Sequence, residues 1–191
     1  MRQVWIIGVC AGVLLVGCAS SPGGGGAATR SVSLADGRVT VPVHRSFEVT
    51  EDPRAGGAPD RIGLRRESRV RGSFESCTVR VIAIPADSLA GLSAAQAASQ
   101  AASQRHEAQA GSSGLHDVRL LTAQAAEGQP IPHDVVEWSF TLERTMRARE
   151  RYWGLASGND RWLAHQSCTT VASPADLIAL EAATAPVFRP D

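Results

Sequence analysis

The chain is 191 residues long, 43% hydrophobic and only 5% aromatic, with 19 basic against 19 acidic residues and a formal net charge of zero. That length suits one domain of ordinary size. The balanced charge argues against a nucleic-acid-binding protein, which carries a basic excess.

Residues 1–17 read as a leader, with a basic start at Arg2, an apolar run from Val4 to Val16, and then Leu15-Val16-Gly17-Cys18. The run is too short for the roughly 20 residues of a spanning helix and fits the core of a signal peptide. With Gly17 and Ala19 flanking Cys18, it resembles the lipobox of bacterial lipoproteins, in which the cysteine is acylated and becomes the new N-terminus. Each buried CH₂ of an acyl chain contributes about 0.8 kcal/mol, so two or three chains hold a protein to a bilayer. The expected anchor is therefore Cys18, on the outer face of the cytoplasmic membrane or in the outer membrane. Cleavage would leave 174 residues with 18 arginines against 19 carboxylates, since every basic residue is arginine. Residues 18–30 hold little larger than alanine or proline and read as a flexible tether to a single globular domain at 31–191.

Two cysteines remain, Cys77 and Cys168, an even pair for an oxidising compartment. A disulfide between them would close a loop of about 90 residues, which the chain-entropy model values at roughly 4 to 5 kcal/mol. Two independent buried thiols are the alternative.

Val32 and Leu34, then Val39, Val41 and Val43, alternate with polar residues around Asp36-Gly37, the pattern of a two-residue hairpin. Phe47 and Val49 extend the second strand past Pro42, which favours an edge. Residues 51–60 read as a loop and Ile62 and Leu64 as a strand. From Phe74 to Ile84, Cys77, Val79, Val81 and Ala83 share one face while Ile82 and Ile84 lie on the other, as in a central strand covered on both sides. Asp87 can cap a long helix to Ala110, docked through Leu89 and Leu92 and ended by Gly111-Ser112-Ser113-Gly114. Val118, Leu120 and Leu121 make a short strand. Trp138, Phe140 and Leu142 share a face of the next, and Tyr152–Leu155 and Trp162–Val171 flank a turn at Ser157-Gly158-Asn159-Asp160. Ser173, Pro174 and Asp176 announce a short closing helix that docks through Leu177, Ile178 and Leu180. The order predicts an α+β fold with a mainly antiparallel sheet, one long central helix and a short C-terminal helix.

The hairpin Val39-Thr40-Val41-Pro42 leading to Phe47 is one element of a wider likeness. The others are Thr78-Val79-Arg80-Val81-Ile82 before a long helix, strands with Trp138 and Tyr152, and Ala175-Asp176-Leu177-Ile178 in a final helix. Over residues 31–188 this order resembles the PsbP-like α/β/α sandwich, with exported lipoproteins of the LpqN type as its nearest members. The resemblance implies a binding or adaptor role without catalysis and with diverse partners, and for this chain a protein partner in the envelope is expected.

His44, His106, His116, His133 and His165 show no metal-ligand spacing, and no metal or other cofactor is expected. The serines lack a nucleophile elbow. Glu137 and Glu143 on one strand face would stand about 20 Å apart, too far for a carboxylate pair. An envelope hydrolase thus has no motif behind it. Two arginine groups stand out: Arg61, Arg65, Arg66, Arg69 and Arg71, and Arg144, Arg147, Arg149 and Arg151. They suit contact with an anionic surface through guanidinium–phosphate pairs, or a solvated surface neutralised by Asp60, Glu67, Glu143 and Glu150. Trp138, Phe140, Trp153 and Trp162 are expected to form the core under a helix. The sharper expectation is a pocket for lipid or a small hydrophobic ligand beneath the Ala/Ser-rich helix.

Overall fold

The computed structural model describes residues 30–51, 60–85, 92–123, 133–141 and 143–189. The leader, the tether, Asp87, Leu89 and Leu142 lie outside them. Ten strands and two helices follow in order: β1 (Arg30–Leu34), β2 (Val39–Val43), β3 (Glu48–Glu51), β4 (Arg61–Glu67), β5 (Phe74–Ala83), α1 (Ala94–Ala110), β6 (Leu115–Ala123), β7 (His133–Thr141), β8 (Thr145–Ser157), β9 (Asp160–Thr170), α2 (Pro174–Ala183) and β10 (Val187–Phe188). They form a small sheet ordered β1-β2-β10 and a large one ordered β3-β4-β5-β9-β8-β7-β6. Every pairing is antiparallel.

Alternation in the sequence becomes two faces of the large sheet. Neighbouring residues of β8 point oppositely. Trp153 packs with Val32, Val41, Ile62, Val79, Leu177 and Leu180, whereas Tyr152 packs with Ala98, Ala102 and Val136. The small sheet and α2 therefore cover one face and α1 the other. Fully burying a Val, Leu or Ile side chain contributes about 1.5–3 kcal/mol, so the Trp153 face, with Val32, Val39, Val41, Ile62, Leu64 and Leu180 all essentially inaccessible, is the main core.

Several expectations need correction. The connection from β1 to β2 is four residues long, since Leu34 pairs with Val39, and Ala35, Asp36 and Gly37 all have positive φ. β2 stops at Val43, and a turn closed by the Phe47 N–H on the His44 carbonyl (2.9 Å) carries the chain into the large sheet. Pro42 is tolerated because β10 reaches only Val39 and Thr40 on that side, so no ladder bond needs its missing N–H. The second face of β5 is open, with Arg80 exposed and Ile82 half-buried. α1 is capped by Ser93, whose hydroxyl accepts from Gln96 N–H while Gln96 receives the Ser93 N–H. It docks through Ala94, Ala97, Ala98 and Ala102, and Leu92 precedes it. The tryptophans divide: Trp138 lies toward α1, while Trp153 and Trp162 belong to the opposite core.

Other elements match. Ser157 pairs with Asp160 across a two-residue turn, in which Gly158 takes a φ of 54°. α2 has the reciprocal Ser173/Asp176 capping box with Pro174 in its first turn. Leu177 and Leu180 are buried, but Ile178 is 52% exposed.

Candidate functional site

Cys77 and Cys168 face each other in the β5–β9 register, with Cα atoms 4.1 Å apart, and form a disulfide spanning 91 positions. The bond crosses the seam between the large sheet's N-terminal strands and its C-terminal ones.

The arginine groups do not gather into one patch. In the first, Arg61 pairs with Glu51 (2.6 Å), Arg65 with Glu48 (2.9 Å) and Arg69 with Asp176 (3.6 Å). Arg66 donates to the buried Glu75 at 2.7 Å. Among the described residues, the Arg71 side chain has no ion-pair partner, while its carbonyl accepts from Arg144 at 3.1 Å. In the second group, Arg147 donates to the Ala172 carbonyl at 3.1 Å. Arg149 lies 2.8 Å from Glu137 and 3.1 Å from Glu181, and Arg151 donates to both Glu181 oxygens at 3.2 and 3.0 Å. The neutralising carboxylates are thus Glu48, Glu51, Glu75, Glu137, Asp176 and Glu181. Of those expected for the role, Asp60 pairs with Arg80, and Glu150 is taken by Arg105 of α1 and by Tyr152.

Glu181 is 1% exposed. It sits on the inner face of α2, and a buried carboxylate persists only with charge and hydrogen-bond partners. Its two arginines supply these, while its carbonyl accepts from Gln166 at 3.1 Å, and Gln166 also donates to Thr184 at 2.9 Å.

Glu150, 3% exposed, makes the matching cluster on the α1 side. Arg105 holds it with two bonds of 3.0 and 2.9 Å, Tyr152 donates its hydroxyl at 2.5 Å, and His165 Nε2 lies 3.3 Å away. The His165 ring stacks on Tyr152 with centroids 4.6 Å apart. Burial opposes ionisation of Glu150, yet the facing His165 imidazole and the hydrogen bonds from Arg105 and Tyr152 outweigh it and hold the carboxyl down at about 2. Burial and the adjacent carboxylate push the Tyr152 phenol well above its ordinary range. Sequence reasoning missed both clusters because nothing in Arg149-Glu150-Arg151 or Leu180-Glu181 tells a buried carboxylate from a solvated one. The alternation that buries Trp153 could have hinted at Arg149 and Arg151.

Among the described residues, concavities open to a ligand include the following pair. One, of about 210 Å³, lies between α2 and strands β6–β8, among Asp117, Arg119, Ser139, Arg147 and Arg149 on the sheet side and Pro174, Leu177 and Ile178 on the helix. The other is a shallow groove of about 850 Å³ whose apolar lining is Phe140, Met146 and Val171, with Glu143 and Arg144 among the polar residues. Neither lies under α1, where the hydrophobic pocket was expected. Among the described residues, no group of three or more His, Cys, Asp or Glu is placed to hold a metal, and no helix is long and apolar enough to cross a membrane.

Mixed α+β, with two α-helices and antiparallel sheets among the described residues, the chain shares its fold with LpqN. Its likeness to the crystal structure of LpqN, a protein involved in cell envelope biogenesis of Mycobacterium tuberculosis, has a TM-score of 0.58 at 10% identity, covering 84% of this chain and 90% of that one. Cyanobacterial PsbP from Synechocystis sp. PCC 6803 gives a TM-score of 0.48 at 16% identity over 91% of this chain and all of that one. The Ran-binding protein Mog1p of Saccharomyces cerevisiae gives 0.44 at 15% identity, over 80% and 81% of the two chains. No protein-family model matches the chain, and no curated protein matches it either.

Proposed function

We propose that the chain is an envelope lipoprotein, acylated at Cys18, whose folded domain acts without catalysis as a binding or adaptor module for another envelope protein. The observation that carries this reading is the Cys77–Cys168 disulfide. Such bonds persist where the compartment is oxidising, which is where the segment ending in Leu15-Val16-Gly17-Cys18 would deliver the domain. The fold shared with LpqN, itself involved in cell envelope biogenesis, supports the same location. A non-catalytic role is supported by the commitment of the most buried carboxylates, Glu75, Glu150 and Glu181, to structural ion pairs.

The test is metabolic labelling with palmitate, joined to crosslinking in intact cells. The chain should incorporate label and fractionate with membranes, and Cys18→Ala should lose both properties. Label retained by Cys18→Ala would overturn the anchor. Crosslinked envelope proteins identified by mass spectrometry are the expected partners.

A second reading, a carrier of lipid or a small hydrophobic ligand, is favoured by the groove at Phe140, Met146 and Val171. Native mass spectrometry of protein purified from its host would show co-purified lipid if this reading holds.

A further inference from the structure

The 210 Å³ cavity beside α2 has a charge arrangement that the fold does not use up. Its innermost charges are closed on themselves: Glu137 meets Arg149, Arg149 meets Glu181, and Glu181 meets Arg151. Three further charges line the cavity. Arg147 donates to a backbone carbonyl, that of Ala172. Arg119 lines the same space without an ion-pair partner among the described residues. Among the described residues, the Asp117 carboxylate accepts only from the Ser139 hydroxyl, at 3.3 Å.

Asp117 owes its place to an irregularity. The β6–β7 register shifts between His116 and Arg119, and Asp117 takes a φ of 54° there, a conformation costly for most non-glycine residues but tolerated by Asp and Asn. Bulges of this kind re-aim a side chain, and here the re-aimed group is a carboxylate on a cavity wall. The opposite wall, Pro174, Leu177 and Ile178, is apolar, and Ile178 is left half in solvent.

We propose that this cavity binds a small zwitterion with an aliphatic side chain, the chemistry of a free amino acid of about leucine's size. The guanidinium groups of Arg119 and Arg147 take the carboxylate through charge-assisted hydrogen bonds. Asp117 takes the ammonium group, and the side chain lies against Leu177 and Ile178. The volume fits, since a cavity of about 150 Å³ accommodates benzene. The inference names a ligand for the binding module proposed above, and it rests on that reading only in assigning the domain a binding role. Acylation and the protein partner play no part in its test, so the two fail separately.

The test is calorimetric titration of the full chain in detergent with L-leucine, and in parallel with leucine amide, which lacks the carboxylate, N-acetyl-leucine, which lacks the ammonium, and glycine, which lacks the side chain. Leucine should bind saturably, and each analogue about tenfold or more weakly. Arg119→Met and Asp117→Asn should each weaken leucine binding by a similar factor while leaving the thermal melt unchanged, because Arg119 is exposed and Asn keeps the backbone conformation. The absence of saturable leucine binding would overturn the proposal. So would N-acetyl-leucine or leucine amide binding as tightly as leucine, or both variants binding like the parent.

Discussion

The backbone of Gly154 lies so close to Ala94 that a Cβ on the glycine would overlap the Ala94 carbonyl. Gly154 is in β8 and Ala94 begins α1, so this contact sets how near the helix comes to the sheet. The obstacle is backbone, which no rotamer change can relieve. Gly154→Ala should therefore lift the start of α1 and destabilise the fold by about 2 kcal/mol, read as a lowered urea midpoint with an unchanged slope.

Reduction of the Cys77–Cys168 disulfide should cost about 4 kcal/mol, given the 91-position separation it spans. Two measurements check this. Native protein should gain no mass from a thiol-alkylating reagent without prior reduction, and the double variant Cys77→Ala/Cys168→Ala should melt well below the parent.

Glu150 makes the acid limb of stability predictable. Its carboxyl titrates at about 2 in the fold against 4.5 ordinarily, so ionisation is favoured by folding. The stabilisation is fully present above about pH 4.5 and is lost as pH falls toward 2, up to about 3 kcal/mol. Denaturant titrations at successive pH values should show this loss. Glu150→Gln should start less stable at neutral pH and lose less over that window.

Removing the Glu181 carboxylate takes the buried negative charge from between Arg149 and Arg151 and leaves Arg149 with Glu137 alone among its carboxylates. Glu181→Ala should destabilise by about 3 kcal/mol. Glu48→Ala, which breaks the exposed pair with Arg65, should cost less than about 1 kcal/mol. Thermal melts of the two variants against the parent make the comparison.

Most guanidinium groups of the two arginine spans are held by carboxylates or carbonyls. Residues 31–191, freed of leader and tether, should accordingly co-sediment equally poorly with neutral and anionic vesicles. A marked rise on anionic lipid would return the arginines to the role of surface contacts.

Legibility in the sequence followed the strength of local signals. The α2 capping box, the Gly158 turn and the alternation of β5 are all written in adjacent residues, and each is found where those residues put it. α1 begins at Ala94 instead of after Asp87: both Asp87 and Ser93 are competent caps, but only Ser93 has a glutamine three residues on, the capping-box spacing that was there to be read. β10, two residues long, carries no periodicity at all. The α2-side cavity was invisible because it depends on the bulge at Asp117 and on the long-range approach of α2 to β7 and β8. The Arg144–Arg151 span looked like surface, since an arginine pattern cannot report that Glu181 and Glu150 lie beneath it.

The seam between β5 and β9 also imposes an order in time. β3, β4 and β5 acquire their neighbour in the large sheet only with β9, and pairing across so long a separation is slow to form. A chain emerging N-terminus first would thus stay unfinished until β9 and Cys168 have appeared. On the export route proposed above, that delay would hold the chain unfolded until nearly all of it has crossed the membrane, and the disulfide would then lock the closure.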